Sequence, residues 1–144
     1  MTEESRYNPM NSDKAIWIGR AIRALVAMAL IADALSGLLA PDAIRVQMIE
    51  TGFPEWTGAV IAVSALASGV LYALPRTALL GAILATGFLG GAICTHVRLG
   101  EIASPPQLVS LALGVLAWAG LYLEDARLRA MLPLRRRAAP PLSS

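Results

Sequence analysis

The sequence predicts an all-α membrane protein: a bundle of four transmembrane helices with both termini cytoplasmic. Three observations lead there. First, apolar residues make up 56% of the 144-residue chain and charged residues only 15%, against roughly 25% charged in soluble domains. Second, the charges gather at the ends and between four apolar runs, each close to the length that carries a helix across a hydrocarbon core of ~30 Å. Third, if every run crosses, ten of the twelve Lys and Arg fall on one side: Arg6, Lys14, Arg20, Arg23, Arg76, Arg127, Arg129, Arg135, Arg136 and Arg137. Only Arg45 and Arg98 face the other way, and this asymmetry puts the basic side in the cytoplasm.

Residues 1–14 are polar and aperiodic and are expected to form a disordered cytoplasmic tail. The membrane domain is expected over residues 15–131. Its first span, about 15–40, opens on Trp17, an interface anchor, with Arg20 and Arg23 able to snorkel back to headgroups. Asp33 lies in the middle-to-outer part of this span. A carboxylate at that depth costs about 2.5–3.5 kcal/mol on insertion scales, so it should face other helices, find a partner or be protonated. Helical spacing sets Ala29, Asp33, Ser36, Gly37 and Ala40 on one small, polar stripe. Asp33 there is equally consistent with a packing role and with a functional one.

Residues 41–55 connect. Asp42 can cap a short helix, and Gly52 before Pro54 can end it. Ile44, Met48 and Ile49 share a face, which predicts an amphipathic segment on the membrane surface or over the bundle mouth. The second span, about 56–74, carries no charge; Ala65 and Gly69, four apart, mark it for close helix packing. Pro75 ends it, and the turn to the third span, about 77–98, is short enough to require an antiparallel hairpin. That third span contains the GxxxG pair Gly87 and Gly91, a second close-packing signal. Near its end stand Thr95, the single His96 and Arg98. After Pro105 and Pro106, a fourth span of about 106–123 closes the bundle. The remainder to Met131 is expected to continue as helix, and residues 132–144 to form a basic, Pro-containing cytoplasmic tail.

In this topology the first and third spans run in the same direction. Asp33, Thr95, His96 and Arg98 then belong to the non-cytoplasmic half and form the candidate polar pocket. His96 can exchange protons near neutral pH, and Arg98 can bind an anion or polarise a carbonyl. Such a pocket suits a quinone head group or a small anion. The alternative is that His96 and Arg98 cap the helix or meet lipid headgroups. One His without an acidic cluster predicts no metal site, and Cys94, the only cysteine, precludes an internal disulfide. No phosphate loop, nucleophile elbow or dinucleotide fingerprint is present. The basic termini flank apolar spans, which directs them to anionic lipid rather than nucleic acid.

The segment PRTALLGAILATGFLGGAICTHVRLG (Pro75 to Gly100) resembles the signature hairpin and third helix of the DoxX-like family of small four-helix membrane proteins. ADALSGLLAP (Ala32 to Pro41), TGFP (Thr51 to Pro54) and WAGLYLEDARLRAMLP (Trp118 to Pro133) are similar to the family's segments in the same order. The resemblance implies a bacterial inner-membrane protein, related to a subunit that accompanies a thiosulfate:quinone oxidoreductase. It therefore implies an accessory or quinone-interacting subunit of a membrane redox system, leaves open whether the isolated chain is an enzyme, and implies a membrane oxidoreductase or a homo-oligomer as partner. The alternative is a structural or assembly membrane protein without catalytic activity. The chain departs from the family where relatives place a Glu (here Ala65) and a Lys (about Ala40).

Overall fold

The structure, a computed structural model, describes residues 9–125 and residue 128. Five helices follow in order: α1 (Pro9–Leu39), α2 (Pro41–Thr51), α3 (Thr57–Ala73), α4 (Ala78–Arg98) and α5 (Pro105–Glu124). The all-helical expectation holds. Three helices are long and apolar enough to cross a membrane: α1 from Asp13, α4 and α5. The second expected span differs. Helix α3 is apolar but has only 17 residues, about 26 Å at 1.5 Å per residue, because Pro54 precedes it and Pro75 follows it.

The described part of α1 is already helical at Pro9, within the stretch 1–14 expected to be a tail. The continuation past Glu124 falls largely outside the described residues, as do the basic tail of 132–144 and Arg135, Arg136 and Arg137. Asp125 leaves helical geometry at φ −103°, ψ 109°.

Helices α1, α3, α5 and α4 pack in a cycle: α1 touches α3 and α5, and α4 touches α3 and α5. Helices α1 and α4 therefore stand on one diagonal, α3 and α5 on the other. Pro9 and Glu124 lie at the same pole, here the terminal pole; α2 caps the opposite one. Helix α2 rests on α1 and α3. Ile44 is its peg. A Cβ on Gly37 would lie 2.6 Å from Ile44 Cδ1, and one on Gly58 would collide with Ile44 Cγ2. The two glycines, one on α1 and one on α3, form the slot that receives it.

The packing is uneven along the membrane normal. On α3 buried residues recur from Gly58 to Tyr72, so its seam with α1 is closed throughout. On α4 they stop at Leu89, and on α5 they begin only at Ala117. The α4–α5 seam is thus tight near the terminal pole and loose near the α2 pole.

Candidate functional site

The α2 pole gathers most of the polar groups expected to matter, and two helix ends place them. Helix α4 finishes in a Schellman turn: Gly100, at φ +75°, donates its N–H to the Val97 carbonyl, and Glu101 donates to the His96 carbonyl. The turn throws Glu101 back over the last coil of α4. There its Oε2 lies 2.7 Å from His96 Nδ1. Helix α2 ends the same way, with Gly52 at φ +69° and the Phe53 N–H on the Met48 carbonyl. That second turn presents the Thr51 carbonyl and the Phe53 ring to Arg98. The Arg98 guanidinium donates to the Thr51 carbonyl and stacks over Phe53, 4.8 Å from the ring centroid. A cation at the carboxyl end of α2 also complements that helix's dipole. Beside it, Arg45 pairs with Glu55 at 3.0 Å, fastening α2 to the loop that follows it. Asp42 sits in the first turn of α2 rather than capping it; Pro41 holds the first position instead.

The four residues expected to share a pocket divide between two helices, Asp33 on α1 and Thr95, His96 and Arg98 on α4. His96 and Arg98 are neighbours on one helix end, but each faces its own partner. Thr95 Oγ1 returns its hydrogen bond to the Gly91 carbonyl within α4. Asp33 is on α1, diagonal to α4, and is exposed at the surface of the chain. Its main-chain carbonyl accepts from Ser36 Oγ at 2.7 Å, while its carboxylate meets no polar partner among the described residues. The diagonal arrangement of α1 and α4 separates it from His96.

The small residues marked for packing divide similarly. Gly37 receives Ile44, Ala65 is fully buried, and Gly69 faces Leu30 and Ile31. A Cβ at Gly87 or Gly91 would meet nothing within 4 Å among the described residues. That face of α4 points outward, with Cys94 exposed on it. The tightest approach of α4 is instead at Gly81, where a Cβ would run into the backbone of Tyr72.

Sequence reasoning missed the terminal pole. Glu124 on α5 stands 3.0 Å from Arg23 and 3.7 Å from Arg20 on α1. The Arg23 contact lacks hydrogen-bond alignment at Glu124 Oε2, so charge rather than directionality holds it. With Arg23 14% exposed and Glu124 17% exposed, the pair is largely withdrawn from the surface. Below it, Tyr72 donates to the Ala117 carbonyl at 2.7 Å, and Trp118 Nε1 donates to Thr86 Oγ1 at 2.9 Å. A tyrosine inside an uncharged span was the available signal, since its hydroxyl must find an acceptor when buried. Among the described residues no three His, Cys, Asp or Glu side chains converge to hold a metal ion.

Helices of this length and apolarity, joined by tight polar turns, define an integral membrane protein. Its family follows from the sequence profile of the DoxX-like family, which matches residues 21–120. The chain belongs to the DoxX-like family. No curated protein and no solved structure matches it significantly.

Proposed function

We propose that this chain is an accessory subunit of a bacterial inner-membrane redox system, and that it engages a quinone head group or an oxidoreductase partner at the α2 pole. The carrying observation is the pairing of His96 with Glu101 beside Arg98, at the mouth of the loose α4–α5 seam. Imidazole and guanidinium donors next to apolar helix walls suit a carbonyl-bearing ring that enters from lipid. Family membership supports the redox context. The skewed distribution of Lys and Arg supports a topology with both termini cytoplasmic and α3 as a fourth crossing.

The test is affinity purification from native membranes in a mild detergent, followed by quinone extraction and mass spectrometry of co-purifying proteins. Quinone or an oxidoreductase in near-stoichiometric amount supports the reading. Clean protein with neither removes it.

A second reading, a structural or assembly protein without catalytic activity, draws on a different observation. His96 and Arg98 both close helix ends, and the outward face of Gly87 and Gly91 leaves room for another helix of a partner or of a second copy. Under this reading Gly91→Leu abolishes the cellular phenotype while Asp33→Asn and His96→Ala leave it intact.

A further inference from the structure

A groove of about 250 Å³ opens on the α1–α3 side of the terminal pole, lined by Arg20, Arg23, Ala24, Ala27, Met28, Ile31 and Ala73. Its chemistry changes along its length. Arg20, Ala24, Ala27 and Ile31 follow one another at helical spacing on one stripe of α1, which covers roughly 16 Å along the membrane normal. The alanines of α1 and Ala73 of α3 keep the trough shallow and apolar. Two guanidinium groups stand at its end. Their charge is only partly met, because among the described residues a single carboxylate, Glu124, serves both. Arg23 is held close to it, whereas Arg20 is farther away and its side chain is 56% exposed. Arg20 also lies over the Trp17 ring, 5.8 Å from the centroid, and tryptophan marks the depth of lipid headgroups.

We infer that this groove is a binding site for an anionic phospholipid, its phosphate on Arg20 and one acyl chain along Ala24, Ala27 and Ile31. A water-soluble anion would have no use for the apolar trough, and a neutral lipid none for the partly met charge of Arg20. The site is on the opposite pole from His96 and does not depend on a redox role.

The test is native mass spectrometry of the full-length chain in a mild detergent, titrated with phosphatidylglycerol or phosphatidylcholine carrying the same acyl chains. Phosphatidylglycerol is expected to bind about fivefold more tightly, the worth of one interfacial charge. Arg20→Gln, which spares the Arg23–Glu124 pair, is expected to erase that preference. Ala24→Leu fills the trough from an exposed position and is expected to weaken both lipids. Gly87→Leu, on the outward face of α4, is expected to change neither. Equal binding of the two lipids by the unmodified chain, a preference that survives Arg20→Gln, or full competition by glycerol phosphate alone would each overturn the inference.

Discussion

Tyr72 of α3 reaches across the diagonal of the helix cycle and donates its hydroxyl hydrogen to the main-chain carbonyl of Ala117 on α5, 2.7 Å away. Both residues are fully buried. Neither helix packs directly along the other, so this side chain bridges them through the centre. The Ala117 carbonyl already belongs to the ladder of α5, and the phenol adds a second hydrogen bond to it.

Removing only the hydroxyl should therefore be mild and removing the ring severe. Tyr72→Phe is expected to cost about 0.5–1.5 kcal/mol. Tyr72→Ala is expected to cost about 3–5 kcal/mol through the cavity it leaves. Reversible unfolding of the detergent-solubilised chain measures both.

Glycines on the two faces of α4 should respond oppositely. Gly81→Ala drives a methyl group into the Tyr72 backbone and is expected to destabilise by about 1–3 kcal/mol or more. Gly87→Ala and Gly91→Ala meet open space and are expected to be neutral or to stabilise by up to about 1 kcal/mol through helix propensity. Thermal midpoints of the single variants check this, and size-exclusion chromatography with light scattering of Gly91→Leu reports whether that face also carries association.

The hold of Arg98 on α2 should appear locally. Arg98→Ala removes a charged hydrogen bond to the Thr51 carbonyl and the stack on Phe53. Faster amide hydrogen exchange is expected over residues 41–51, with protection of α3 unchanged. Arg98→Lys should restore part of the protection, since an ammonium keeps the charge and loses the planar stack.

Asp33 and His96 should act independently. With α1 and α4 on one diagonal, a double-mutant cycle of Asp33→Asn and His96→Gln is expected to be additive within about 0.5 kcal/mol. His96→Gln and Glu101→Gln form the contrasting cycle, with a coupling of about 0.2–1 kcal/mol for a partly exposed pair. Coupling in the first cycle and none in the second would contradict the described arrangement.

The helices were legible because hydropathy and proline spacing act locally. Pro41, Pro75 and the Pro105–Pro106 pair bound helices in the structure as they do in the sequence. The short helix α2 was legible for the same reason, although Ile49, expected to share the face of Ile44 and Met48, is 61% exposed. Apart from the α3–α4 hairpin that the short turn at Pro75 dictates, which helices touch was not legible, since apolar residues ring every helix and do not point to a neighbour. Asp33 and His96 were grouped by depth alone, and depth does not distinguish a diagonal from an adjacent pair. Gly87 and Gly91 carry the recognised small-residue spacing yet meet open space, while Gly58 and Gly81, which no motif marks, join Gly37 and Gly69 in close contact. The His96–Glu101 contact could have been found: a glycine two residues beyond Arg98 announces the turn that brings the next side chain back.

Burial ends at Leu89 on α4 and starts at Ala117 on α5, so this hairpin is clamped at its base and unclamped at its tip. Towards the tip α4 leans instead on α2, through Arg98 on the Thr51 carbonyl and the Phe53 ring. The outer end of the hairpin thus borrows its anchorage from the cap over the other two helices, and a change that frees α2 should be felt at Thr95 before it is felt at Ala85.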